Sequence, residues 1–380
     1  MKNIALVFGG RSAEHEVSII SAMQILKGYT KEEINLFPLF LSRNNDMFLA
    51  KKDVAAKDFI TPEKNHKLKK VNLTFGSNEL KSAKGSKKTL VKLDGAILVT
   101  HGGLGEDGGL VSLFENSNIP VSSGNSMAQA ISYDKVLTKS VCKSLNIKTI
   151  PGLWFYLKDW SENPTQVLAQ IRKLKLPVIV KPARQGSSIG VTVCHNIKEV
   201  VSAINVSLEF DSKFIVEQAL TKFKEFNCSA LGAADGEILV SSIDEPKKVH
   251  EILSFEDKYI GSNKNKLTKS STKLGSMEGM ERSFLKNSKL EAKIKEITAS
   301  VMREFNLYGV IRVDYLYDEV HKKLYLNEIN TVPGSLAFYF WEREGISINE
   351  LVEKLVEIAE SELKNKTKLN LDYITHILQN

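Results

Sequence analysis

Gly309-Val-Ile-Arg-Val-Asp-Tyr-Leu-Tyr317, followed after a short turn by Leu324-Tyr-Leu-Asn-Glu-Ile-Asn330, decides how this chain is read. Both stretches are rich in β-branched and aromatic residues, which predicts strands whose side chains alternate faces with a period of two. Arg312 and Asp314 then share one face, while Ile311, Val313 and Tyr315 take the other. On the second strand Glu328 and Asn330 share a face. A hairpin across residues 318–322 brings Asp314, Glu328 and Asn330 together beside Arg312. Three hard oxygen ligands with an arginine next to them suit magnesium bound together with phosphates. The competing reading is a solvated sheet face carrying a surface salt bridge. The apolar residues that surround these positions make unpaired charge costly there and favour the metal.

Upstream, the chain alternates strand and helix. Strands are expected at 4–8, 35–41 and 96–100, with helices at 14–26 (Val17, Ile20, Met23, Leu26) and 110–115. That order predicts a parallel, doubly wound N-terminal sheet. From about Ser126 the units shorten: a helix at 127–145, strands at 177–180, 190–194 and 214–217, and helices at 166–173 and 197–206. Longer strands follow at 225–231 and 238–243, then a helix at 286–305, the two strands quoted above, and a last helix at 346–363. The chain is therefore read as α/β with α+β character toward the C-terminus. It divides into three lobes (residues 1–123, 124–213 and 214–365, the last with the metal site) and a tail, 366–380.

Composition narrows the function classes. With 380 residues, 42% hydrophobic and 26% charged, the chain carries enough apolar material for a large core, and disorder as its main state is excluded. No apolar run reaches the roughly 18–20 residues of a membrane span. The opening MKNIALVFGG breaks at Gly9-Gly10, too early for a signal peptide, and a cytoplasmic protein is expected. Cys142, Cys194 and Cys228 are far apart and in no metal-type spacing, so each is read as a buried apolar residue. Lysine and arginine exceed aspartate and glutamate by 52 − 45 = 7, which favours anionic ligands. The lysines between 64 and 88 have a single aromatic among them, Phe75, too few for the stacking platform of a nucleic-acid site, and are read as solvated surface.

Three further motifs carry chemistry. In Val178-Ile-Val-Lys-Pro-Ala-Arg-Gln-Gly-Ser-Ser-Ile-Gly190 a buried strand delivers Lys181 to a Gly/Ser loop whose backbone N–H groups can approach phosphate oxygens. A hairpin tip is the equal alternative. In Thr100-His-Gly-Gly-Leu-Gly-Glu-Asp-Gly-Gly109 the glycines spell G-x-G-x-x-G. Glu106 and Asp107 would repel a pyrophosphate, however, and no acidic partner for a ribose follows at the expected spacing. A dinucleotide fold is rejected, and His101 at the strand's end is read as a substrate neighbour or a turn histidine. In Gly9-Gly-Arg-Ser-Ala-Glu-His-Glu-Val-Ser18, Ser12 is placed to cap a helix, and Glu14 is either a first-turn carboxylate or a ligand. Lys135, Glu217 and Glu225, taken alone, read as surface charges; the last two also flank a strand–turn suited to an adenine and a ribose.

Taken in order, GGRSAEHEVS, HGGLGEDG, SYDK, VIVKPARQGSSIG, VEQAL…KEFNCSALG, FEDKY, IRVDYLYD and NEINTVPG resemble the D-alanine–D-alanine ligases of the ATP-grasp superfamily over nearly the whole chain. The resemblance implies a three-lobed ATP-grasp architecture in which ATP lies between the central and C-terminal lobes. It assigns nucleotide contacts to Lys135, Lys181, Glu217, Leu220 and Glu225, with Ser187 and Ser188 in a loop that closes over the phosphates and Lys258 reaching the γ-phosphate. Asp314, Glu328 and Asn330 match its magnesium ligands, with manganese as a substitute. Glu14, Ser187 and Tyr259 match a hydrogen-bonded group that holds a lid (residues 253–276) shut, Glu14 also receiving the first substrate's ammonium. His101 lies beside the first substrate. Arg312 and the Gly334 backbone face the developing oxyanion, and Ser335 and Leu336 stand where the second substrate's carboxylate binds.

The reaction so implied joins two D-alanines through a D-alanyl phosphate, for peptidoglycan precursors. Its partners are small molecules (D-alanine and ATP), without nucleic acid or membrane, in a monomer or homodimer. Tyr259 stands where depsipeptide-forming relatives carry a histidine, which favours D-alanine as acceptor. Two departures stand out: Gln185 replaces a usual glutamate, and Phe338-Tyr-Phe-Trp341 replaces a threonine- and serine-bearing stretch. The alternatives kept open are a sister ligase taking D-lactate or another amino acid second, and a non-catalytic nucleotide-binding protein.

Overall fold

The computed structural model describes residues 1–85, 87–246 and 282–369. Its first sheet grows around Lys2–Gly9, which pairs in parallel with Ile34–Leu41 on one side and Gly95–Leu98 on the other. Ile4 through Phe8 are fully buried, as a strand covered on both faces requires. Beyond Ile34–Leu41 the sheet continues antiparallel through Met47–Ala50, Leu68–Leu73, Glu79–Ser82 and Thr89–Lys92. The parallel sheet expected here thus has three parallel strands, and the lysine-rich region supplies its antiparallel extension. Lys67 and Lys70 pair there with Asp53 and Asp46 at 3.0 and 2.7 Å.

The second sheet is antiparallel, in the order Thr192–Cys194, Val178–Pro182, Lys213–Gln218, Gly152–Tyr156. Val178, Val180, Phe214 and Val216 pack on helices Pro164–Ile171 and Ile197–Leu208. The intervening Lys181, Ile215 and Glu217 face the opposite side. Lys213–Gln218 lies inside this sheet, so we draw the border between central and C-terminal lobes after Gln218 rather than before residue 214.

The third sheet is antiparallel, ordered Arg282–Phe284, Ile238–Pro246, Phe223–Ala233, Tyr308–Asp318, Lys323–Asn330. Helix Ser288–Glu304 covers one face, burying Ile294, Val301 and Met302 against Phe226, Ile311, Val313 and Tyr315. The other face carries the charged residues and closes a cleft against the central sheet. Cys142, Cys194 and Cys228 are free and buried, which raises each thiol to about 11.

Two details position the site. The expected helix at 127–145 is two helices, Ser126–Tyr133 and Lys135–Ser144. Asp134 between them adopts extended backbone, and its Oδ1 accepts from Val136 N–H at 2.9 Å and Leu137 N–H at 3.3 Å, as an N-cap does. Its Oδ2 accepts from the buried Lys213. Second, Phe340 and Trp341 are 1% exposed in the core that also holds Leu6, Phe8 and Val310. The aromatic stretch after Gly334 is therefore core.

Candidate active site

The hairpin delivers the expected convergence. Arg312 pairs with Asn330 and Asp314 with Glu328, and a bulge directly after Asp314 leaves Asn327 as the extra residue. Arg312 Nε and a terminal nitrogen donate to the two Asp314 carboxylate oxygens at 2.7 and 2.8 Å. Asn330 Nδ2 donates to Asp314 Oδ2 at 3.2 Å, and Glu328 Oε2 lies 3.2 Å from Lys135 Nζ. Among the described residues no group of three or more His, Cys, Asp or Glu side chains is arranged to hold a metal. The candidate set is two carboxylates and one amide, hard oxygen donors of the type magnesium prefers.

The central sheet supplies positive charge opposite these oxygens. Lys181 Nζ meets Glu217 Oε2 at 2.6 Å, and Lys139 meets the other oxygen of the same carboxylate. Burial alone would raise Glu217, but Lys181 and Lys139 overcome it and hold the carboxyl below its usual range. Glu217 is 2% exposed and locked between lysines, which removes it from the class of surface charges. Lys135 Nζ also donates to the Gln185 carbonyl at 2.6 Å, linking the start of its helix to the Gly/Ser loop.

That loop turns through left-handed backbone at Ser187 (φ 51°), Ser188 (φ 61°) and Gly190 (φ 69°). Arg184 anchors its beginning, donating to both oxygens of Asp211, each from Nε at 3.2 Å. Ser187 Oγ donates to Glu14, 173 positions away in sequence. Gly186 leaves room for this approach: a Cβ there would stand 2.8 Å from Glu14 Oε2, so the carboxylate would have to shift. Glu14 occupies the N-cap position of helix His15–Gly28, but its side chain makes no cap bond. Ser12, the expected cap, lies two residues before that position: its Oγ donates to the His101 carbonyl at 2.6 Å and accepts from Glu14 N–H at 3.2 Å.

His101 is buried, and burial together with Arg312 pushes it down to about 4, so the ring is neutral. Gly334 opens the turn Gly334–Ala337, in which Ser335, Leu336 and Ala337 are all left-handed. Glu225 sits on Phe223–Ala233 opposite Leu316, two positions before Asn227, which faces Asp314; Leu220 follows the end of Lys213–Gln218. Lys258, Tyr259 and the lid lie outside the described residues.

Two residues went unassigned in the sequence. Asn227 faces Asp314 across the strand pair and, with its amide nitrogen turned toward that carboxylate, donates at 3.2 Å. Glu106 accepts from Gly102 N–H at 2.8 Å, so the glycine-rich loop spends that amide on its own carboxylate. Burial and the neighbouring Glu14 push Glu106 up to about 8.

Two antiparallel sheets facing each other across a cleft, lysines on one and paired oxygen donors on the other, define an ATP-grasp protein. Residues 3–124 match the family model of the D-ala D-ala ligase N-terminus, and residues 141–357 that of the D-ala D-ala ligase C-terminus. The chain is 34% identical to the D-alanine–D-alanine ligase of Thermosipho melanesiensis, over 100% of this chain and 99% of that one. It is 31% identical to that of Thermosipho africanus, over 96% and 95%. Among solved structures, the D-alanine–D-alanine ligase from Helicobacter pylori superposes with a TM-score of 0.70 at 28% identity, covering 94% of this chain and 98% of that one. The ligase from Coxiella burnetii shares the fold with a TM-score of 0.76 at 22% identity, over 97% and 96%. The chain belongs to the D-alanine–D-alanine ligase family.

Proposed function

We propose that this protein is an ATP-dependent ligase that joins two D-alanine molecules into D-alanyl-D-alanine for peptidoglycan precursors. The observation that carries this reading is the cleft itself: Arg312, Asp314, Glu328 and Asn330 gathered on one sheet, opposite Lys181 and Glu217 on the other and spanned by the Lys135–Glu328 contact. A carboxylate is a poor electrophile, so one oxygen of the first D-alanine attacks the γ-phosphorus of ATP, giving D-alanyl phosphate and releasing ADP. Lys181, Lys135 and Arg312, with Lys258 from the lid, neutralise the charge that spreads over the transferring oxygens. Asp314, Glu328 and Asn330 are the residues to hold magnesium, or manganese in its place. When bound, that ion neutralises the triphosphate.

The amine of the second D-alanine then attacks the acyl carbon. The tetrahedral oxyanion is stabilised by Arg312 and the Gly334 N–H; on collapse the bond between the acyl carbon and the phosphate oxygen breaks, phosphate leaves with that oxygen and the bonding pair, and it takes the proton that the attacking nitrogen gives up. Glu14 receives the first substrate's ammonium, and Ser335 and Leu336 the second substrate's carboxylate. The Ser187–Glu14 hydrogen bond draws the Gly/Ser loop over the site and keeps out the water that would hydrolyse the acyl phosphate, and Tyr259 is the lid residue proposed to complete that closure. The test is ADP formation from ATP and magnesium with D-alanine, set beside L-alanine and D-lactate. D-alanine alone should support turnover; turnover with D-lactate or L-alanine and none with D-alanine refutes the substrate assignment.

A further inference from the structure

The turn after Gly334 is held in an unusual state. Ser335 (φ 50°), Leu336 (φ 56°) and Ala337 (φ 51°) are three consecutive side-chain-bearing residues in the left-handed region. Such backbone is costly at each residue and persists only where neighbouring contacts over-determine it. Helix His15–Gly28 provides those contacts from the far lobe. Ser335 N–H donates to Ser21 Oγ at 3.1 Å, and Ser335 Oγ donates to the side-chain oxygen of Gln24. Ser21 Oγ in turn meets His101 Nε2 at 3.2 Å, and the Val332 backbone lies close enough to the His101 ring to act on its charge. His101 therefore holds the chain after Gly334 through Ser21 at Ser335, and its ring neighbours the backbone before Gly334 at Val332. Ser21 and His101 are 2% and 5% exposed, so water does not compete for these bonds.

We infer that Ser21, His101 and Gln24 form a clip of positioning residues that fixes the Gly334–Leu336 turn for the second substrate. The inference rests on the ligase reading above, in which that turn presents the oxyanion N–H and the acceptor's carboxylate contact. His101 then acts through the loop. Ser21 and Gln24, three apart on the same helix face, set where the loop stands relative to the first lobe. Loosening the clip leaves the nucleotide side of the cleft, built on the central sheet, as it was.

The test is steady-state kinetics of the full chain with magnesium and ATP, scanning D-alanine, for wild type, Ser21→Ala, Ser21→Thr and Gln24→Ala. Ser21→Ala should raise the KM for the acceptor D-alanine about tenfold, the scale expected when a binding group is misplaced, while the KM for ATP stays within about twofold. Ser21→Thr, which keeps the hydroxyl, should restore the acceptor KM. Gln24→Ala, at a half-buried position that removes no core packing, should raise it in the same direction. Unchanged D-alanine dependence in both alanine variants overturns the clip, as does a parallel rise in the ATP and D-alanine constants. A wild-type chain without D-alanine-dependent turnover refutes the underlying ligase reading instead.

Discussion

Glu328 shows how much one charge does in this cleft. It stands opposite Asp314 in the hairpin and 3.2 Å from Lys135 Nζ. Glu328→Gln keeps the shape and removes the charge that balances Lys135 and, in the proposed reading, the metal. Turnover should fall by about 10²–10³-fold, the usual scale for losing one preorganised electrostatic partner, with an unaltered circular dichroism spectrum. Wild-type phosphate release would refute the metal assignment. His101 gives a pH prediction. Its folded pKa is pushed down to about 4 from 6.5, so the unfolded chain takes up the proton first as pH falls. Its contribution is full above 6.5 and is lost between 6.5 and about 4, by roughly 3 kcal/mol in all. Urea unfolding at about pH 7 and about pH 5 should show a loss in wild type that His101→Gln diminishes. An identical pH slope in the variant contradicts a buried neutral ring. At this scale the convergence of Arg312, Asp314, Glu328 and Asn330 was legible because strand periodicity and a hairpin bring them together. Asn227 was not, since only the pairing of Phe223–Ala233 with Tyr308–Asp318 reveals its neighbour.

The break at Asp134 is the element-level feature on which Lys135 depends. The apolar spacing runs through both helices and reads as one, yet Asp134 caps the second and pairs with Lys213. Capping alone is worth about 1 kcal/mol. Asp134→Ala also strands Lys213, which is buried beneath Trp154 and Tyr156, and losing one partner of a buried pair costs about 3–5 kcal/mol. Thermal unfolding should show a drop of that larger size, and adding Lys213→Met should recover part of it. A loss no greater than an exposed cap's would contradict the pairing. The lysine-rich strands were missed for the opposite reason. Their short, half-exposed segments alternate weakly, and the lysines that hide the pattern also protect a sheet's margin from pairing with other chains.

Across the whole molecule, the C-terminal helix Ile348–Thr367 returns to the first lobe and buries Leu351, Val352 and Leu355 against Ile4, Leu6 and Ile25. Ser123 and Gly309 bridge the first and third lobes nearby, where a Cβ on Gly309 would fall 1.9 Å from the Ser122 carbonyl. Leu355→Ala should cost about 2–5 kcal/mol and lower stability in a single transition, because the helix belongs to a core shared by both ends of the chain. Separate melting of the first lobe would contradict that. The order of motifs along the sequence announced the three lobes. The seating of the last helix was hidden, because amphipathic spacing gives a helix an apolar face without naming its partner.

The central claim is that the cleft activates the carboxylate of a D-alanine by phosphorylation. D-alanine labelled with ¹⁸O in its carboxyl group, incubated with the protein, magnesium and ATP, tests it directly through the mass of the released phosphate. Phosphate carrying one ¹⁸O atom per turnover is the predicted result, and phosphate released without label contradicts the account.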